Sequence, residues 1–194
     1  MTNIINWVVL IVAIFTSAGL IFQRDWRWGL GLLAVQYVCV FWLVQTHWTV
    51  SMASVKLVAG WMVCAVIGIA QLNIKHTQEI ESVWPQGRLF HFFISGIIIA
   101  TTFTISLKVS GWLGLNLSII WGSLLLIGMG LLQLGISTQP FRVIIGLLTA
   151  ISGFEIIYAA VESSALVAAL LSIINLGLAL SGAYFLSNPL EDVT

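Results

Sequence analysis

The sequence predicts an all-α fold, a polytopic transmembrane helical bundle of about seven spans. Hydrophobic residues make up 60% of the chain and charged residues only 7%, with a mean hydropathy of +1.09. A water-soluble domain of that composition would lack the polar surface that solvates it. Seven stretches approach the roughly 20 apolar residues that cross a bilayer core. The connections are short apart from Asn73–Arg88, NIKHTQEIESVWPQGR, so residues 1–194 read as a single integral membrane domain.

The spans fall in order near Ile4–Phe22, Trp28–Val44, Val50–Leu72, Leu89–Leu107, Leu115–Ile136, Phe141–Val161 and Ala165–Leu186. The first lies in MTNIINWVVLIVAIFTSAGLIF, which lacks a charged n-region and an A-x-A-like cleavage site and so reads as a retained span. The second follows Arg24 and Arg27 and carries Gln36, and the third carries Lys56. The fourth opens after the polar loop, and with the second it is at the short end, so that merging two short spans gives a six-helix alternative. The fifth carries Gln133, the sixth follows Pro140 and holds Glu155, and the seventh holds Asn175. Small residues recur in the last three spans: Gly122, Gly128 and Gly130, then Gly146, Ala150 and Gly153, then the small-xxx-small pair Gly177 and Ser181. They suit close helix contact, the last pair against span six or a partner subunit.

Seven spans place Arg24, Arg27, Lys75, Arg88 and Arg142 on one side and Lys108 alone on the other, with Lys56 inside span three. The positive-inside rule then puts the C-terminus in the cytoplasm and the N-terminus outside. A six-helix merge would scatter these charges. Trp7, Trp48 and Trp112 fall at the outer interface and Trp26, Trp28 and Trp84 at the inner one, as an aromatic belt requires.

Several chemistries are excluded or disfavoured. Seven basic and seven acidic residues cancel, with no acidic tail beyond Glu191 and Asp192, so there is no basic field for nucleic acid. Cys39 and Cys64 lack metal or redox spacing and read as small packing residues. His47, His76 and His91 do not cluster at helical spacing, so neither a metal site nor a cofactor is expected. No nucleophile with its base and no glycine-rich phosphate loop is present, and the chain is not expected to make or break bonds alone.

Polar groups within the membrane remain. QPFRVIIGLLTAISGFEIIYAAVES, residues 139–163, carries Glu155 deep in apolar sequence, where an ionisable side chain costs about 2.5–3.5 kcal/mol on insertion scales. Lys56 lies six residues inward from the outer start of span three, and Glu155 six residues inward from the outer end of span six. At 1.5 Å per residue, both sit roughly 9 Å below the outer boundary. Equal depth makes them candidate partners, since either charge alone must neutralise or snorkel. In the alternative, Lys56 snorkels to the headgroups while Glu155 stays protonated among hydroxyls and backbone. Glu162, seven residues after Glu155, falls on nearly the same helical face, where it either extends a proton or cation path or faces headgroups. Asn175, Gln133 and Gln36 are further buried polar candidates, although Asn and Gln often only bond across helix interfaces.

The segment from Leu131, LLQLGISTQPFRVIIGLLTAISGFEIIYAAVESSALVAALLSIINLGLALSGAYFL, resembles the small three-helix K-type subunit of respiratory complex I. It also resembles the C-terminal part of the hydrogenase-4 component E family. The similarity lies in a polar turn with Arg142, the run Ile145-Gly146-Leu147, an intramembrane glutamate, and a last helix rich in small residues. Upstream, Arg24 and Arg27 before span two, Gln36 within it, and Lys56 in SMASVKLVAGWMV are similar in pattern to component E. The resemblance implies a membrane subunit of a proton- or sodium-translocating respiratory, hydrogenase-type or antiporter-like complex. It implies antiporter-like and hydrophilic oxidoreductase subunits, with lipids, as partners, and a prokaryotic cytoplasmic membrane as location. One departure stands out. Leu148 occupies the place where the K-type pattern has a glutamate directly after I-G-L, and no acid stands in the last helix, where Asn175 is the nearest polar residue. The family's proton-path residues therefore do not carry over position by position.

Three function classes follow. The first is the translocating-complex subunit, with Glu155, Lys56, Glu162, Asn175 and Gln36 as ion-path candidates. In the second, the same residues only hold helices together in a structural or assembly subunit. The third is a small stand-alone transporter; there is no inverted repeat to support it, and Pro85, Pro140 and Pro189 all lie in loops or at helix ends.

Overall fold

The computed structural model describes residues 2–23, 25–73, 87–162 and 164–187. Arg24, Lys75, His76, Trp84, Pro85, Pro189, Glu191, Asp192, the side chain of Arg88 and most of the long loop lie outside the described residues. Among those described, the chain forms seven α-helices and no strand: α1 (Thr2–Phe22), α2 (Trp26–Val44), α3 (Val50–Asn73), α4 (Gly87–Leu113), α5 (Leu117–Ile136), α6 (Pro140–Val161) and α7 (Ala165–Ser187). All seven are long and apolar enough to span a membrane, and a helix satisfies its own backbone groups where no water can. The seven-span count therefore holds over the six-helix merge.

Helix ends follow local chemistry and account for the differences from the expected bounds. Span four, expected to stop at Leu107 because Lys108 breaks the apolar run, continues to Leu113. Its stop is Gly114, at φ 65°, whose N–H donates to Ser110 O at 2.9 Å and closes the helix through a left-handed glycine. Helix α2 starts at Trp26 rather than Trp28, and α5 at Leu117 rather than Leu115, with Asp25 and Asn116 at the N-cap positions but no side-chain cap bond from either. Pro140 opens α6, where its missing N–H is not needed.

Sequential helices pack together except α3 and α4, and α5 with α6 forms the most intimate seam. Helix α3 lies against α2 and α7, α1 against α5, and α6 against α2 and α7. Only 17% of α4 is buried, against 50% of α5 and α6, so α4 is the edge helix. Phe15, Phe92, Phe93 and Ile173 stand exposed, as hydrocarbon-facing side chains must.

The small residues divide into two groups. A Cβ on Gly130 would stand 2.6 Å from Gly146 O and from Ala150 N, and one on Gly153 would stand 2.6 Å from Ser123 O. Ser123 Oγ also donates to Gly153 O across the seam. This is the close backbone approach that small residues permit in lipid. Gly128 instead faces Ile98 and Thr102 of α4, and Gly122 faces Leu43. Gly177, however, has open space where a Cβ would go, and Ser181 is exposed. That pair therefore does not pack on α6; Gly182, one residue on, meets Ile144 there instead.

The tryptophans are not all simple anchors. Trp112 and Trp28 are exposed, and the Arg27 guanidinium lies 5.4 Å from the Trp26 ring centre. Trp7 packs edge-on against Trp121 at 5.9 Å. Trp48 is buried, stands edge-on to Tyr158, and donates Nε1–H to Glu162 O at 3.0 Å. It ties the α2–α3 turn to the end of α6. Trp48→Phe keeps much of the ring packing but loses this bond, with an expected cost of about 1 kcal/mol in a detergent unfolding titration.

Candidate functional site

Lys56 and Glu155 meet. Lys56 Nζ donates to Glu155 Oε1 at 2.6 Å, with the two residues 4% and 2% exposed. Asn175 Nδ2 donates to the same oxygen at 2.9 Å. Three helices, α3, α6 and α7, thus converge on one carboxylate oxygen.

The backbone explains why these groups reach one another. Helices α3 and α6 share no packed seam, being flanked by α2 and α7, so the long lysine stem spans the gap. Asn175 lies ten residues into α7, roughly 15 Å from its outer end, against about 9 Å for the other two. Side chains lean toward the N-terminus of their helix. Helices α6 and α7 run in opposite directions, so Asn175 and Glu155 lean toward each other's level, which closes the offset. The arrangement satisfies the buried ammonium and carboxylate mutually, which is the condition under which charges persist in a low-dielectric interior.

Further polar groups surround the centre. Tyr37 on α2 stacks over Gly60, one turn below Lys56, and a Cβ at Gly60 would collide with the ring. The Tyr37 hydroxyl is buried and meets no hydrogen-bond partner within bonding geometry. Ser152 Oγ donates to Leu148 O at 2.8 Å. Thr149 Oγ1, Asn175 Oδ1 and both amide atoms of Gln36 are buried without partners. No family model, no curated protein and no solved structure matches this chain. The centre must therefore be interpreted from its own geometry.

The other sequence candidates are placed apart from the pair. Glu162 is the C-cap of α6, extended at φ −137° and ψ 143° and exposed, so it leaves the helical face it would have shared with Glu155. Gln36 is buried on α2, and Gln133 is buried near the inner end of α5, where it lines a small cavity with Ser137 and Arg142. Tyr37, Thr149 and Ser152 went unnoticed in sequence. Ser152 and Thr149 precede Glu155 by three and six residues, a spacing that places Ser152 one turn below it; Tyr37 directly follows Gln36. Among the described residues no three His, Cys, Asp or Glu side chains gather as a metal site.

Proposed function

We propose that this chain is a membrane subunit of an ion-translocating, respiratory, hydrogenase-type or antiporter-like complex, in which Lys56 and Glu155 form a protonic element. The buried Lys56–Glu155–Asn175 centre carries this reading, because nothing else among the described residues offers chemistry in the membrane. A proton moving from Nζ to Oε1 converts the ion pair into a neutral pair. Any displacement of α3 from α6 and α7 requires Glu155 protonated and Lys56 neutral, reached by this transfer or by uptake at Glu155 with release from Lys56, since two separated charges in this environment are prohibitively costly. Movement imposed by partner subunits is thereby coupled to protonation. The resemblance noted in sequence supplies the setting: antiporter-like and hydrophilic oxidoreductase partners in a prokaryotic cytoplasmic membrane.

Glu155→Gln tests it. Glutamine keeps an acceptor for Lys56 and Asn175 but cannot take a proton there. The expected result is a complex that still assembles and co-purifies in mild detergent, with ion pumping lost while electron transfer or partner turnover persists. Unchanged pumping in the intact complex would refute the proposal. A second reading is favoured by the closed geometry of the site, since one oxygen joins three helices: the centre is a structural clasp. In that case Asn175→Ala and Glu155→Gln lower the stability of the complex without a specific transport defect.

A further inference from the structure

The unpartnered buried polar atoms are not scattered. Apart from Trp121 Nε1, which lies among the Trp7 and Phe103 rings on the α1–α4 side, they belong to Gln23, Gln36, Tyr37, Gln133, Thr149 and Asn175. These order themselves along the membrane normal. Helices α2 and α6 both start at the inner end and pack together, so residue numbers translate directly into depth. Gln133 sits roughly 4 Å from the inner end of α5, Gln36 and Thr149 roughly 14 Å from the inner ends of their helices, Tyr37 and Ser152 roughly 17 Å, and Glu155 roughly 22 Å. At the inner mouth Arg142 Nη2 donates to Gln23 O at 3.1 Å, beside the cavity that Gln133 lines. Along α6, Arg142, Thr149, Ser152 and Glu155 recur at intervals of seven, three and three, a polar line that winds about 140° around the helix between its ends.

Buried polar groups without protein partners are ordinarily satisfied by internal water. Apart from Trp121 Nε1, roughly 6 Å inside the outer end of α5 but among the Trp7 and Phe103 rings, no such group lies on the outer side of the pair among the described residues. Val40, Val44, Ala53, Ile156 and Ala159 form one apolar cluster there, closed by Trp48. On the inner side one apolar layer, formed by Leu33, Ile67 and Ile145, lies in depth between the mouth and the Thr149 level.

We propose that water reaches this bundle from the inner end alone, along the α2–α6 seam, and gives Glu155 a one-sided proton path past Thr149 and Ser152 with Leu33 and Ile145 as its collar. The inference rests on the proposed protonic role of Glu155. It adds that the path is a half-channel, so that release to the other side must use a moved α3 or a neighbouring subunit.

Thiol accessibility tests the path without requiring transport. The full chain, with Cys39→Ala and Cys64→Ala, is reconstituted in vesicles of known orientation. Silver ion is applied from one side, and the thiols that remain are counted after denaturation. Thr149→Cys and Ser152→Cys are expected to be blocked from the inner side only, faster when Ile145→Ser is added, and Ala159→Cys from neither side. Ser152→Cys is nearly isosteric and serves if Thr149→Cys does not fold. Blocking from the outer side, or no blocking even with Ile145→Ser, would overturn the path. Inner-side blocking together with normal pumping by Glu155→Gln would uphold the path and remove the protonic role, so the two failures are distinguishable.

Discussion

Truncating either charge of the central pair is expected to destabilise the bundle by about 3–5 kcal/mol, because the partner is left as an uncompensated buried charge. Glu155→Ala leaves both Lys56 and the Asn175 amide without their acceptor, and Lys56→Ala leaves the carboxylate with the amide alone. The double variant Lys56→Met/Glu155→Leu is expected to recover most of the loss, since an apolar pair of similar volume removes the desolvation cost along with the attraction. Denaturation in mixed micelles measures all three together with Lys56→Ala/Glu155→Ala, which closes the cycle with the two alanine variants. The decisive quantity is the coupling energy of the cycle, which for residues in contact departs from additivity by about 0.5–3 kcal/mol. Additive losses would mean that the 2.6 Å contact contributes nothing to holding α3 on the bundle. An ordinary interhelical hydrogen bond in lipid averages only about 0.6 kcal/mol, so a large coupling would identify the pair as ionic in effect.

The second large effect is steric. At Gly130 the atoms that would meet a Cβ are the backbone oxygen of Gly146 and the backbone nitrogen of Ala150, and backbone cannot rotate aside as a side chain can. Gly130→Ala is expected to cost about 1–3 kcal/mol as an overpacking change, and Gly130→Leu to separate α5 from α6 altogether. Gly177→Ala, facing open space, is the control and is expected to change stability little. Thermal unfolding in detergent, with size-exclusion profiles for the leucine variant, reads both. Equal stability of the two alanine variants would contradict the seam.

Depth was legible in the sequence and lateral order was not. Hydropathy counts residues along each span, so the seven helices and the matched levels of Lys56 and Glu155 could be found from numbering alone. Which helix stands beside which is decided by side-chain packing around the circumference, and no periodic signal encodes it. For that reason Asn175 was one candidate among several buried amides, while Gly177 and Ser181 gave no sign that they face away from the bundle. Tyr37 was missed because a tyrosine in an apolar run resembles core, and only its placement over Gly60, one turn below Lys56, sets it beside the pair. The end of α4 was misplaced because a charge interrupts hydropathy without interrupting a helix. Gly114 carried the true signal.

The 99 residues that separate Lys56 from Glu155 set an order of events during biosynthesis. Chains emerge N-terminus first, so α3 enters the bilayer with its lysine before the glutamate exists. At roughly 9 Å from the outer surface, that lysine can extend its stem to the headgroups while it waits. The snorkelling and paired states, alternatives when only the sequence is considered, then become successive stages of one assembly. Helix α6 arrives to a cation already in place, and its own costly carboxylate is inserted toward a waiting counter-charge. A nascent chain arrested after α5 would hold Lys56 at the surface, and completion of α6 and α7 would draw it inward.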